Sequence, residues 1–360
     1  MEKLKAGVIG CGRMGAFTTD SVRNHAPSCW FPLSHIEAIL AHSELILHAI
    51  SDSNTTILKK AGLTYKPESL YSDALEMCDK KDLDLVCIAT RAKGRMDLIQ
   101  RVIDSGVKAV HTEKPLCNST RELKTAKKLF QSNNIFVSFG AIRRYMPIYQ
   151  YAKQLADSGV YGKLKEIRVC FGSASLYWAH THSIDLILFA GGNRIVNGIQ
   201  ANLQEIRHGN SKNEIENDPK ILSATIFFDD GVTGHITQAL GCDMILSCEK
   251  AEITVRADGY SLELYSVKKG EKYPSYATLN TEYLETINGG TLLPITELVD
   301  CIKGKSNAIS RNQKNKEDIL LGHNIAFSMI QSHLERGKII DPTVIESDLV
   351  VHAITDGKYA

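Results

Sequence analysis

The chain has 360 residues, 43% of them hydrophobic and 23% charged, with 42 basic against 41 acidic side chains. That length is natural for two domains rather than one, and the composition is that of a globular chain with a sizeable core. A net charge of +1 without long runs of one sign leaves no electrostatic footprint for nucleic acid or for an anionic membrane surface.

The opening "MEKLKAGVIG" enters a strand pattern without the apolar core of a secretory leader, and no apolar run approaches the length of a membrane span. The nine cysteines are odd in number and form no C-x-x-C pair. Several sit in apolar runs, where Cys behaves as a small hydrophobe. A cytoplasmic location is expected.

Up to about residue 140 short apolar runs alternate with amphipathic segments. "KAGVIGCG", "LILHAISD", "DLVCIAT", "KAVHTEKP" and "NIFVSFG" read as buried strands. Between them, "TTILKKAG", "MDLIQRVIDSG" and "STRELKTAKKLFQSN" read as helices, the last capped by Ser119 or Thr120 with Glu122 behind. Such alternation implies right-handed crossovers and a parallel sheet covered by helices on both faces.

The pattern changes near 140–145. A helix "IYQYAKQLADSG" leads to a strand "KLKEIRVCFG" and then to long alternating stretches: "RIVNGIQANLQEIRH", "ILSATIFFDDGVTGHITQAL", "KAEITVRADGYSLELYSV" and "YATLNTEYLE". Period-2 alternation with Asp-Gly turns at 230–231 and 258–259 predicts an antiparallel sheet with one covered face. Helices are expected near 293–304 and 316–335. The expected domains are 1–140 and 141–360.

Gly10, Gly12 and Gly15 in "VIGCGRMG" have G-x-G-x-x-G spacing directly after the first strand. There the first glycine makes the tight turn, the second admits a pyrophosphate, and the third allows close packing. The ribose-binding acid should end the second strand, where Asp52 stands 37 residues after Gly15 instead of the usual ~20 from the fingerprint. The surplus is "SVRNHAPSCWFPLS" (21–34), read either as a loop packed on its own domain or as a flap over the ligand cleft. Asp52 would bind the ribose hydroxyls and repel a 2′-phosphate, favouring NAD over NADP. After the fifth strand, "TEKP" puts Lys114 at the carboxyl end of the sheet, where open α/β folds bind ligands.

These features together resemble the glucose–fructose oxidoreductase / inositol dehydrogenase / MocA (Gfo/Idh/MocA) family. The matching segments are "GVIGCGRMG", "HAISD", "VCIAT", "EKPL", "RRYMPIYQYAKQLADSGVYGKLKEI", "HSID" and "DDGVTGHI". The resemblance implies a doubly wound Rossmann domain and a C-terminal α/β domain with a large open, mostly antiparallel sheet that often joins subunits, giving a homodimer or homotetramer. It implies NAD(P)-linked redox chemistry on sugars, sugar nucleotides or cyclitols. By position, Gly10, Gly12, Arg13 and Met14 would line the pyrophosphate, and Asp52 with its neighbour Ser53 the adenosine ribose. Thr90, Arg91, Glu113 and Lys114 would lie on the nicotinamide side. Lys114 is the lysine the family places beside the reacting carbon, His182 matches its histidine, and Asp185 is that histidine's acidic partner. Arg144, Tyr145 and Trp178 would line the substrate.

The stretch "YWAHTHSID" (177–185) admits three readings: metal ligands, core filler, or the acid/base wall of a substrate site. On a helix beginning near His180, His182 and Asp185 share a face while His180 points away, whereas H-x-H ligation suits a strand. The wall reading is preferred, and no metal is expected. Two departures from the family pattern stand out. Trp178 occupies the place of a relay aspartate, and "TRAKGR" places Arg91 and Arg95 where they could read a substrate carboxylate or phosphate. Trp178 keeps open a non-catalytic NAD-binding regulator, and relatives that hold NAD permanently for transient oxidation in glycoside cleavage supply a further alternative.

Overall fold

The structure is a computed structural model that describes residues 2–79, 82–267, 270–281, 289–344 and 348–352. It divides into two units, 1–142 with 288–320 and 354–360, and 143–287 with 321–353.

The first unit is built on six parallel strands: β1 (Leu4–Ile9), β2 (Leu45–Ser51), β3 (Ser69–Tyr71), β4 (Leu85–Ile88), β5 (Ala109–Thr112) and β6 (Phe136–Phe139). Their order, β3-β2-β1-β4-β5-β6, is that of a Rossmann sheet. The central strands β4 and β5 are buried throughout, as expected of runs covered on both faces. The helices are α1 (Asp20–His25), α2 (His35–Ala41), α3 (Thr55–Tyr65), α4 (Ala74–Asp79), α5 (Arg95–Asp104) and α6 (Thr120–Ser132). Ser119 caps α6, its hydroxyl accepting from the Glu122 N–H, which settles the choice between Ser119 and Thr120.

In the second unit, α7 (Pro147–Asp157) and α8 (Thr181–Gly191) pack on a sheet ordered β15-β14-β13-β12-β7-β11-β10-β8. Its strands are β7 (Leu164–Phe171), β8 (Val196–Leu203), β10 (Ile221–Phe228), β11 (Thr233–Thr237), β12 (Leu240–Cys248), β13 (Ala251–Arg256), β14 (Ser261–Ser266) and β15 (Ser275–Leu279). All neighbours run antiparallel except β7 and β11. A small parallel pair joins β9 (Glu214–Ile215) to β16 (Val350–Val351). Both expected Asp-Gly turns close hairpins, with Gly231 at φ 86 and Gly259 at φ 109. Residues 282–285 of the expected strand "YATLNTEYLE" lie outside the described residues.

The expected assignment of everything after 140 to the second domain needs one correction. The helix α9 (Leu292–Ile302) and the first half of α10 (Ser306–Leu334) belong to the first unit. Leu292, Ile295, Leu298 and Val299 of α9 are buried in one cluster with Ala6, Val8, Ile36, Ile39 and Leu45. The first half of α10 closes the edge of β6: buried Asn312 donates to the Val137 carbonyl at 2.9 Å and accepts its N–H at 3.2 Å. A single amide side chain thereby satisfies backbone groups that a neighbouring strand would otherwise take.

Candidate functional site

Within the first unit, the glycine loop has the geometry its spacing predicts. Gly10 lies at φ 92, and a Cβ there would sit 3.0 Å from the Ala89 carbonyl carbon. At Gly15 a Cβ would lie 1.7 Å from the Gly10 carbonyl oxygen, so the third glycine serves close packing within the loop itself. Nothing comes within 4 Å of a Cβ built on Gly12, the open position a pyrophosphate needs. Asp52 follows β2 and is tied to this loop: its Oδ2 accepts the Cys11 N–H at 2.7 Å and its Oδ1 the Asn54 N–H at 2.8 Å. A carboxylate has about four acceptor sites, so partly exposed Asp52 keeps capacity for a ribose diol. Ser53 beside it is exposed, and Arg13 and Met14 are half-buried. The loop and its acid fit a dinucleotide.

The long spacing to Asp52 has a structural explanation. No continuous helix follows the loop. After a single turn the chain leaves, forms the exposed six-residue α1, and re-enters as α2. At re-entry the His35 N–H donates to the Met14 carbonyl at 2.8 Å and the Ile36 N–H to the Gly15 carbonyl at 2.9 Å. In an unbroken helix those carbonyls would bond residues 18 and 19. His35 and Ile36 stand in for them, so residues 18–34 are looped out of a hydrogen-bond ladder that continues across the gap. Without those 17 residues, the 37-residue interval to Asp52 becomes 20.

The returning end of the excursion is fastened to its own unit. Cys29, Phe31 and Pro32 carbonyls accept the N–H groups of Gly290, Gly289 and Thr291 at 2.9, 3.1 and 2.9 Å. A Cβ at Gly289 would lie 1.9 Å from the Cys29 oxygen and one at Gly290 2.1 Å from the Trp30 oxygen, so both positions require glycine. Of the two readings of the insertion, the packed loop describes residues 29–33.

The Glu-Lys-Pro turn leaves the end of β5. Lys114 is partly exposed, and its backbone N–H donates to Glu113 Oε2 at 3.2 Å. Glu113 Oε1 lies 3.1 Å from His35 Nε2, with both residues buried. Behind them the His111 ring meets His35 edge-on at 4.8 Å, and His111 Nδ1 pairs with Ser138 Oγ at 2.8 Å. Burial, with His35 alongside, pushes the His111 imidazole down to about 3. Burial alone would raise the Glu113 carboxyl, but His35, through its hydrogen bond above all, outweighs it with smaller help from His111 and Lys114, and the carboxyl is held at about 2. The ligating atoms of His35, His111 and Glu113 lie within 4.8 Å of one another. Of this trio only Glu113 was among the sequence expectations, as a residue on the nicotinamide side; the two histidines were not.

Arg95 requires a correction. It does not stand ready for a substrate anion: the side chain is 1% exposed and donates to the backbone carbonyls of Thr90, Glu113 and Pro115. Burial lowers its guanidinium to about 10. Gly94, at φ 74, starts α5 with Arg95 turned inward, where the carbonyls of the lysine turn need donors. Arg91 is exposed and Thr90 half-buried.

Within the second unit, a wide turn at Leu176–His180 precedes α8. Buried Asp218 accepts the N–H groups of Tyr177 and Trp178, each at 3.0 Å, and so fixes the entry to the helix. His180 is fully buried with Nδ1 3.0 Å from Ser183 Oγ, and burial lowers its imidazole to about 4. It is core, as its position relative to His182 predicted. Trp178 and His182 are half-buried, the members of "YWAHTHSID" with exposed surface alongside Ala179. Asp185 is buried and paired bidentately with Arg144, at 2.9 Å to Nη2 and 3.1 Å to Nε. The charge expected to meet substrate at Arg144 is therefore engaged with Asp185, while Tyr145 beside it is half-buried.

Sequence reasoning missed His35 and Asp218. The signal for His35 was the excess spacing itself, since a helix resumed after an excursion brings its first residues back beside the loop. A lone Asp in a loop, such as Asp218, carried no such signal.

Residues 4–141 match the model of the oxidoreductase family with the NAD-binding Rossmann fold, Gfo/Idh/MocA. Among curated proteins the chain is 24% identical over 162 residues to scyllo-inositol 2-dehydrogenase (NAD(+)) of Bacillus subtilis, covering 45% of this chain and 42% of that one. It is 25% identical over 174 residues to D-apiose dehydrogenase of Paraburkholderia graminis, covering 48% and 42%. The matches thus span less than half the length of these relatives. Among solved structures, an NAD binding oxidoreductase from Klebsiella pneumoniae superposes with a TM-score of 0.72 at 17% identity, covering 96% of this chain and all of that one. Levoglucosan dehydrogenase in complex with NADH and levoglucosan superposes at 0.73 and 18%, covering 95% and 100%. The fold is common to all of this length. Among the described residues no helix is long and apolar enough to cross a membrane. The match to that family model is confined to residues 4–141, the stretch that carries the six-stranded parallel sheet.

Proposed function

We propose that this protein is an NAD-dependent oxidoreductase acting at a carbinol or ketone carbon of a sugar, sugar nucleotide or cyclitol. The observation that carries the reading is the dinucleotide loop tied by Cys11 to Asp52, in one unit with a lysine turn held from behind by buried groups. Inositol, apiose and levoglucosan dehydrogenases among the similar proteins support a polyhydroxylated substrate. Gly10, Gly12, Arg13 and Met14 would hold the pyrophosphate. Asp52 and Ser53 would hold the adenosine ribose, with Thr90, Arg91 and Glu113 on the nicotinamide side.

The bound nicotinamide would supply or take up the hydride. The chain's own part is charge, proton and position. The Lys114 ammonium stabilises negative charge developing on the substrate oxygen. His182 takes or returns the proton, work suited to an imidazole near neutrality. Trp178 offers a face on which a sugar ring stacks, Tyr145 would line the same substrate, and Arg144 holds Asp185 of α8 in place.

Nicotinamide absorbance during incubation with cyclitols, aldoses, uronic acids and nucleotide-sugars tests this. A substrate is expected to give stoichiometric cofactor change with NAD, reduced by about 100-fold or more in Lys114→Ala. Near-normal turnover in that variant removes the lysine from the mechanism. Product without net cofactor change points instead to transient oxidation, and tight NAD binding without any turnover to a regulator.

The proposal includes a homodimer or homotetramer formed through the large sheet, where Tyr265 and Tyr276 face each other across β14 and β15, 49% and 60% exposed. Exposed aromatics on an open sheet are a natural contact surface, and a monomer in sedimentation at micromolar concentration would remove this part. All nine cysteines are free, in keeping with a reducing cytoplasm.

A further inference from the structure

We propose that His35 is a positioning residue for Lys114, acting through Glu113, and that it ties the lysine turn to the dinucleotide loop. The inference rests on the role given to Lys114 above. His35 engages both elements at once: its backbone N–H bonds the Met14 carbonyl, and its ring bonds the Glu113 carboxylate. Glu113 in turn accepts the backbone N–H of Lys114 through its other oxygen. One residue, delivered by the re-entering helix, therefore spans from the loop that would hold pyrophosphate to the amide of the lysine.

The carboxylate has little freedom to settle elsewhere. A Cβ on Gly140 would lie 2.6 Å from Glu113 Oε2 and 2.9 Å from its Oε1, so the backbone of residue 140 forms a wall against it. Its Oε1 is also bonded to His35, and His111 lies close by, the polar atoms of the three being within 4.8 Å of one another. Around Lys114, Arg95 holds the carbonyls of residues 113 and 115. The peptide carrying the lysine is thus held at its N–H by Glu113 and on either side by Arg95. Arg95 binds backbone directly and does so whatever His35 becomes. The Glu113 contact is different, because removing His35 leaves a buried carboxylate without its ring donor. That carboxylate can then take up a proton or turn, and in either case its hold on the Lys114 amide changes. The groups facing the pair are His111, Lys114 and Arg95.

Three variants and two readouts test this. His35→Leu removes the ring donor, and His35→Gln restores an amide donor of similar reach. Glu113→Gln removes the charge that His35 would act on. The first readout needs no substrate: acetylation of Lys114 in the NAD-free chain, measured by peptide mass spectrometry against exposed Lys59. In His35→Leu the Lys114 rate is expected to shift at least about threefold relative to Lys59, while His35→Gln stays near wild type. The second readout is turnover: kcat should fall about 10- to 100-fold in His35→Leu, as misplacement of a reacting group does, with NAD affinity within about threefold because the Met14 contact is made by backbone. His35→Gln should recover most of the loss, and in a Glu113→Gln background His35→Leu should add little. A folded His35→Leu chain with unchanged Lys114 labelling and unchanged kcat overturns the proposal. So does a loss that Gln fails to rescue, or one zinc per wild-type chain that disappears with His35→Leu, which would make the trio a metal centre. If labelling shifts as expected but no sugar is turned over by wild type, the positioning role stands and the proposed function fails.

Discussion

Each unit buries a carboxylate close to a residue assigned to the chemistry, and the two are held by different bases. Glu113 is held by the imidazole of His35, and Asp185 by the bidentate guanidinium of Arg144. A guanidinium stays charged at any pH a protein survives, so the second pair is a permanent fixture under α8. The first pair instead bears on the amide of Lys114, which Glu113 accepts through its other oxygen. The contrast separates a support that only has to hold α8 from one that also sets where a reacting group sits.

The largest expected effect comes from breaking the permanent pair. Arg144→Leu leaves Asp185 buried without its cation and should cost about 3–5 kcal/mol in urea unfolding, while the double variant Arg144→Leu/Asp185→Leu should regain most of it. A single-variant cost under about 1 kcal/mol would mean that Asp185 is satisfied by other groups and that the contrast is misdrawn.

Acid should act next. His111 and His180, one in each unit, are held neutral at about 3 and about 4 against an ordinary 6.5. Below 6.5 the unfolded chain binds protons that the folded chain refuses, so the stability they contribute is full above that value and is lost as pH falls toward the folded values. Between pH 6.5 and 5 the loss should be about 2 kcal/mol for each histidine. Glu113 adds its loss only further down, from about 4.5 to about 2. Urea unfolding at the two pH values, in wild type and in His111→Asn and His180→Asn, measures this; equal slopes in all three chains would contradict it.

Removing residues 18–34 and joining Phe17 to His35 should have the smallest effect. The ladder bonds of Met14 and Gly15 would be kept, and the N–H groups of Gly289, Gly290 and Thr291 would exchange carbonyl partners for water. The expected loss is about 1–2 kcal/mol with NAD affinity, measured by titration, changed by less than about threefold. Loss of NAD binding in a folded deletion variant would show that the excursion itself belongs to the cofactor site.

Much of this was legible in the sequence where a local pattern carried the information. The apolar runs of β1, β2, β4, β5 and β6, the glycine spacing, the cap at Ser119 or Thr120 and the two Asp-Gly turns all rest on residues close together in the chain. The three-residue edge strand β3 has no apolar run to announce it, and β12 begins with an exposed Leu240 followed by Gly and Cys. What lay beyond reach were contacts between distant segments. The bond from His35 to Met14 crosses 21 residues, and the return of α9 to the first core crosses residues 143–287 of the second unit. Arg95 shows the same limit in reverse: near an expected ligand site an arginine invites a ligand reading, and only the unpartnered carbonyls of a turn 18 and 20 residues away reveal its use.

The asparagine on β6 has a consequence for how copies of this chain can meet. An edge strand is an open template for another strand, and aggregation often begins there. Along β6 both backbone groups of Val137 are taken by Asn312, and the Ile135 carbonyl just before it by Lys316 at 3.3 Å. The other edge, β3, is three residues long. The parallel sheet therefore offers a stray strand little purchase at either end, and runaway polymerisation through it is opposed by two side chains on a helix that the chain adds 175 and 181 residues later.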